Sequence, residues 1–151
     1  IKLPGGPMIS DGSRVTKDFS ILNRYEVAQT GEKIAIIGLG TFFELAKEVA
    51  KLLKEEAGIN ATVINPYYIT GLDEALLTKL KQDHDTVITL EDGILDGGFG
   101  EKIARFYGAS NMKVLNYGLK KEFLDRYDVD AVLKDNHLTA EQIVEDVLSI
   151  L

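Results

Sequence analysis

A three-layer α/β/α domain, with a mostly parallel sheet of about five strands and one antiparallel strand, is the fold class the sequence predicts. Three observations lead there. Short apolar, β-branched runs recur at Lys33–Gly38, Ala61–Asn65, Thr86–Leu90 and Lys113–Tyr117, each the length of a buried strand. Stretches with apolar residues at helical spacing separate them. Glycine-bearing turns join strand to helix, as at Gly38-Leu39-Gly40-Thr41 and Gly97-Gly98-Phe99-Gly100.

The elements follow in order. Ile1–Ser10 is apolar with Pro4, Gly5, Gly6 and Pro7, and reads as a strand end and a turn. Asp11–Leu22 has no clear period and reads as surface linker. Residues 1–22 are therefore expected to be the tail of a preceding domain plus linker, and residues 23–151 the domain itself. Arg24–Gln29 roughly alternates, and the short gap at Gly31 predicts that it pairs with Lys33–Gly38 as an antiparallel hairpin. Phe42, Leu45, Ala46, Val49, Ala50, Leu52 and Leu53 line one side of a helix that ends near Gly58. Asp73 reads as the N-cap of the next helix; Tyr67 and Tyr68 could line an interface, but two aromatics close to a strand end are more often core. After Lys113–Tyr117 come a helical turn at Glu122–Asp128 and a short helix at Val129–Lys134. The last helix is amphipathic through Ala140, Ile143, Val144, Val147, Leu148 and Leu151; Thr139 caps it, with Gln142 placed to complete a capping box.

The chain is organised around Thr86–Tyr107. Thr86–Leu90 is the strand, Glu91–Gly100 an acidic, glycine-rich loop, and from Gly97 onward Phe99, Ile103, Ala104 and Phe106 mark a helix. Gly97, Gly98 and Gly100 let the helix begin close against the sheet. An anion site at the helix start is the competing reading, because free N–H groups there attract phosphate. Glu91, Asp92, Asp96 and Glu101 would repel a phosphate, with Lys102 the nearby offset. The segment is not a P-loop, since Phe99 stands where lysine is required. Gly38–Phe43 falls short of the dinucleotide fingerprint, with Phe43 at the third glycine and no acid closing the next strand.

Composition bounds the function. With 151 residues, 45% hydrophobic and 27% charged, the chain suits one globular domain. A formal net charge of −7 argues against nucleic acid or an anionic membrane as partner. The absence of cysteine removes disulfides and thiolate chemistry and fits a reducing, cytoplasmic setting. No apolar run is long enough to span a bilayer. The chain opens on Ile1 without methionine, as a piece of a longer protein would. Asp83-His84-Asp85 suggests a metal ligand or an oriented base, but neighbours on a short loop rarely converge, and a structural or surface role is expected for His84 and for His137. Glu91 and Asp92 could act as an acid–base pair, but the loop sequence does not spell out such a site. No Ser-His-Asp or Cys-His set is visible.

Leu90-Glu91-Asp92-Gly93, followed by Gly97-Gly98-Phe99-Gly100 opening a helix, resembles the carboxy-terminal domain of transketolase-like enzymes. Phe99 and Val114-Leu115-Asn116-Tyr117-Gly118-Leu119 point to the 1-deoxy-D-xylulose-5-phosphate synthase branch. Tyr68, Leu72 and Asp73 match a second segment of that branch; Tyr67, Thr70 and Gly71 replace its arginine, lysine and proline. Lys2 and Gly5 stand at two family arginine positions, the second of which helps hold the substrate phosphate, and Gly5 cannot replace a guanidinium. Arg126-Tyr127 stand about where the family carries His-Gly. The resemblance implies a transketolase C-terminal-domain-like fold in a homodimeric, thiamine-diphosphate- and Mg2+-dependent enzyme. Such an enzyme joins a two-carbon unit from pyruvate to glyceraldehyde 3-phosphate in isoprenoid precursor synthesis. It also implies that cofactor and metal are held by the preceding domains of the polypeptide, because Glu91-Asp92-Gly93 is not the Gly-Asp-Gly…Asn metal motif. No catalytic, cofactor-binding or metal residues are therefore expected here, and Glu91, Gly97, Gly98 and Gly100 form a structural loop. The alternatives are another transketolase-like enzyme, such as a 2-oxoacid dehydrogenase β subunit or a transketolase half, or a stand-alone nucleotide- or protein-binding module.

Overall fold

The computed structural model describes residues 22–122 and 128–151. The expectations for residues 1–21, including Lys2 and Gly5, and for the turn carrying Arg126-Tyr127 lie outside the described residues. Five strands form one sheet: β1 (Glu26–Gln29), β2 (Lys33–Gly38), β3 (Thr62–Asn65), β4 (His84–Ile94) and β5 (Lys113–Leu119), in the order β1-β3-β2-β4-β5. Strands β2 to β5 are parallel, and β1 runs antiparallel on β3. The helices are α1 (Phe42–Ala57), α2 (Glu74–Leu80), α3 (Phe99–Tyr107), α4 (Val129–Asp135) and α5 (Ala140–Ser149).

Alternation along the strands builds two cores, one on each face of the sheet. Ile34, Ile36, Val63, Ile88 and Leu90 pack with Ala46, Val49 and Leu53 of α1 and with Ile143, Val144 and Val147 of α5. Ala35, Ile37, Ile64 and Val87 pack with Leu77 of α2 and with Phe99, Ile103 and Tyr107 of α3. The three-layer class and the single antiparallel strand therefore stand as read. Tyr107 was not among the residues expected to line α3; it is buried, and its hydroxyl donates to the Leu77 carbonyl at 2.8 Å, joining α3 to α2.

The expected hairpin does not form. Both edges of β2 are taken, by β3 and β4, so β1 adds to the open side of β3. The connection passes the start of β3: Gly31 N–H donates to Thr62 Oγ1 at 2.9 Å, and Glu32 N–H to the Asn60 carbonyl at 2.9 Å. Crossing two strand spacings needs about 10 Å, which three extended residues cover. A Cβ on Gly31 would overlap the Asn60 carbonyl, so only glycine fits the crossing.

Three local readings are corrected. Tyr67 and Tyr68 are 53% and 37% exposed, because the chain after β3 bends at Tyr67, where φ is +23°, instead of entering the core. Thr139 Oγ1 accepts from Gln142 N–H at 3.4 Å, but the Gln142 amide donates to the Lys134 carbonyl at 3.0 Å, so the capping box is half made. The strand expected to stop at Leu90 continues to Ile94, because its ladder with β5 resumes at Ile94–Leu119 after a shift. Asp73 caps α2, its Oδ1 accepting from Leu76 N–H at 3.1 Å, and its Oδ2 also accepts from Tyr25 N–H at 3.0 Å.

Candidate functional site

The carboxyl edge of β4 and the start of α3 form the candidate site. Because β4 runs on past Leu90, Glu91 lies on the strand and not in a loop, and it is buried at 5% exposure. The chain then reverses: Leu95 N–H donates to the Leu119 carbonyl at 3.0 Å, and Gly98 N–H to the Leu95 carbonyl at 2.9 Å. Gly97 supplies the left-handed residue of that reversal, with φ at +73°.

The reversal brings the α3 N-terminus onto the Glu91 carboxylate. Phe99 N–H donates to Oε2 at 2.9 Å and Gly100 N–H to Oε1 at 3.1 Å. A helix start carries unpaired N–H groups and partial positive charge, so a buried carboxylate here satisfies two donors and meets a favourable field. Glu101 Oε2 accepts from Gly97 N–H at 2.9 Å on the outer side. Glu91 is thus a cap supplied from the strand, eight residues before the helix it closes.

The glycines make room for this. A Cβ on Gly98 would overlap Glu91 Oε1 and come within 2.8 Å of Glu91 Oε2 and the Ile94 carbonyl. A Cβ on Gly100 would come within 2.7 Å of Thr89 Oγ1 and 2.8 Å of the Asn116 side chain. Thr89 Oγ1 donates to Asn116 Oδ1 at 2.8 Å, so β4 and β5 present a bonded polar pair under the helix. Phe99 points inward, edge-on to the Tyr25 ring at 6.3 Å, and burial pushes the Tyr25 hydroxyl up to about 12.

This geometry favours the structural reading of the loop. The two N–H groups a phosphate would need already bind an internal carboxylate. Glu91 is buried and doubly bonded while Asp92 is exposed, so they do not share a reaction site. Calorimetry with NAD, FMN and ATP is expected to show no heat beyond dilution. Micromolar binding that is lost when Gly98 or Gly100 is changed would refute the capped arrangement.

The histidines act elsewhere. His84 sits at the amino edge of the sheet, its Nδ1 2.7 Å from Asp83 Oδ1 and its Nε2 2.8 Å from Thr62 Oγ1. The Asp83 carboxylate can only accept, so Nδ1 donates to it; in the neutral ring Nε2 then accepts the Thr62 hydroxyl proton, while Thr62 Oγ1 accepts from Gly31 N–H. The sequence raised the Asp83–His84 pair, and the two do meet; it did not reveal the hydroxyl, since Thr62 comes from a different strand start. The spacing of this hydroxyl–imidazole–carboxylate line is that of a hydrolytic triad, but Thr62 is 2% exposed and its oxygen is engaged twice. Its evident work is to bind the starts of β2, β3 and β4 together. His137 is exposed, its Nδ1 3.1 Å from Asp146 Oδ2.

The family model described as the transketolase C-terminal domain matches residues 23–143. The chain belongs to this family. The transketolase C-terminal domain seen here is 36% identical to 1-deoxy-D-xylulose-5-phosphate synthase of Symbiobacterium thermophilum, over 86% of this chain and 20% of that protein. It is 30% identical to the synthase of Francisella tularensis subsp. novicida, over 97% of this chain and 23% of that protein. The chain thus spans about a fifth of the length of the curated relatives it matches. Among solved structures it resembles a split-gene transketolase described as an inactive beta4 tetramer, with a TM-score of 0.78 and 26% identity, over 95% of this chain and 45% of that one. Transketolase of Campylobacter jejuni shares the fold, with a TM-score of 0.62 at 17% identity over 85% of this chain and 19% of that one. Among the described residues, no helix is long and apolar enough to cross a membrane.

Proposed function

We propose that residues 23–151 are the C-terminal domain of a cytoplasmic, homodimeric, thiamine-diphosphate-dependent synthase that condenses pyruvate with glyceraldehyde 3-phosphate to 1-deoxy-D-xylulose 5-phosphate. The observation that carries this reading is the 36% identity to a curated synthase across 86% of the chain. Residues 1–22 would then be the end of the preceding domain and a linker.

The residues present do not fit the cofactor. Glu91-Asp92-Gly93 has its first carboxylate buried and bound to two helix amides, so a metal there would compete with the cap for a carboxylate that faces the helix start. Thiamine diphosphate and Mg2+ are accordingly assigned to domains outside this chain, and no chemical step is routed through these residues. The domain's own contribution is structural. A buried carboxylate locks the strand–helix edge, and that rigidity supports neighbouring domains and the active-site walls they form. No residue of this chain is given a catalytic role.

The test is pyruvate consumption with several aldehyde acceptors, run on the longer polypeptide and on the 151-residue chain side by side. The longer protein is expected to turn over and the chain alone to be inert. Turnover by the chain alone would overturn the assignment of no catalytic residues, and a longer protein inert with every acceptor would overturn the synthase reading. The likeness to a split-gene transketolase favours one second reading, a transketolase half. Ketose phosphates replacing pyruvate as donor would select it.

A further inference from the structure

Tyr67, Tyr68 and Ile69, in the loop after β3, hold three large apolar side chains in solvent, at 53%, 37% and 40% exposure. The loop is not slack. Tyr67 has a positive φ of 23°, an unfavourable conformation for an aromatic residue that persists only where neighbours enforce it. Its N–H donates to Asn65 Oδ1 at 3.2 Å, and its hydroxyl donates to the Glu26 carboxylate. Asn23 Oδ1 accepts from Thr70 Oγ1 at 2.7 Å and from Gly71 N–H at 2.8 Å. Lys102 Nζ, from α3, donates to the Ile69 carbonyl at 3.2 Å. Strained backbone, fixed from β1, from Asn23 and from α3, thus presents consecutive apolar side chains outward. Rigid aromatic anchors of this kind dominate the energetics of buried interfaces.

Asn23 indicates what covers them. It clasps the loop, and it is also the residue at which the family match begins, with residues 1–21 leading up to it. The described chain thus enters the domain at this edge, beside the loop. The curated relatives have about four fifths of their length outside the match, since the chain covers 20% of one and 23% of another.

We infer that Tyr67, Tyr68 and Ile69 form the docking surface for the domain that precedes this one in the same polypeptide. The inference rests on the reading above that such a domain exists. A tethered partner needs little intrinsic affinity, because the linker holds it at high effective concentration. A small apolar contact can therefore hold it.

Photo-cross-linking of the longer protein tests this. p-Benzoylphenylalanine is placed at Tyr68 and, as a control, at Lys51, whose side chain is 73% exposed on α1. Position 68 is expected to give cross-links mapped by mass spectrometry to the preceding domain, with no change in chain mass, while position 51 gives none there. A product of doubled mass from position 68 would make a second copy the occupant and overturn the inference. So would a yield no higher than at position 51. Pyruvate consumption, measured on the same preparation, separates the two readings. A protein that cross-links as expected but consumes no pyruvate loses the synthase assignment and keeps the docking surface.

Discussion

Replacing Gly98 with valine is expected to lower the urea midpoint of unfolding by about 1.5 M. The new Cβ would overlap Glu91 Oε1 and crowd Glu91 Oε2 and the Ile94 carbonyl, both at 2.8 Å. A flexible side-chain end moves easily, but this one is buried and bonded to Phe99 and Gly100 N–H. Moving it exchanges a steric clash for unsatisfied helix amides. Overpacking of this kind costs about 1–3 kcal/mol, and loss of a charge-assisted cap adds to it. At about 2 kcal/mol per molar urea, a total near 3 kcal/mol gives the stated shift. Gly97 provides the comparison. A Cβ there meets nothing within 4 Å, so Gly97→Ala meets only the backbone cost of φ at +73°, about 1 kcal/mol. Equal midpoints for Gly98→Val and the parent would mean that α3 does not close on Glu91.

The same segment shows what a sequence reveals and what it hides. The strands and helices were legible because period and residue type are local: Ile34 to Ile37 is apolar without break and Val87 to Leu90 is broken by Thr89 alone, as suits strands covered on both faces. Partner choice is not local. The short gap after Gln29 suggested a hairpin, but β2 gains more by pairing parallel on both sides, and Gly31 lets the chain cross beneath β3. Glu91 reads as one of four loop acids until the reversal at Leu95–Gly98 brings it to the helix start. Its distinguishing mark was its place directly after the apolar run, where a strand side chain still points into the fold. Tyr67 and Tyr68 misled because aromatic residues usually go inward, and nothing in their own chemistry records that the chain bends outward at Tyr67. Asp83–His84 was local and visible, but Thr62 as its third member was hidden for the same reason as the β1 pairing: it depends on which strands lie side by side.

Replacing Glu91 with alanine is expected to destabilise the domain by about 2–4 kcal/mol and, unlike the glycine change, to be reversible by a small anion. Truncation leaves Phe99 and Gly100 N–H facing the space the carboxylate filled, and an unsatisfied buried donor costs about 1–3 kcal/mol. That space is carboxylate-shaped and lies at the positive end of α3. Formate fits it and can accept from both amides. At ten times its dissociation constant, formate would restore about 1.4 kcal/mol. Chloride at the same ionic strength cannot bridge two divergent donors and is expected to restore much less. Glu91→Gln supplies the steric control. It fills the space, offers one acceptor, and sets its amide NH2 against the other N–H, so it should be destabilised and gain nothing from formate. The measurement is the urea midpoint of parent, alanine and glutamine forms in formate and in chloride. If formate and chloride shift the alanine form equally, the effect is general screening, and Glu91 is not the anion that α3 was built to hold.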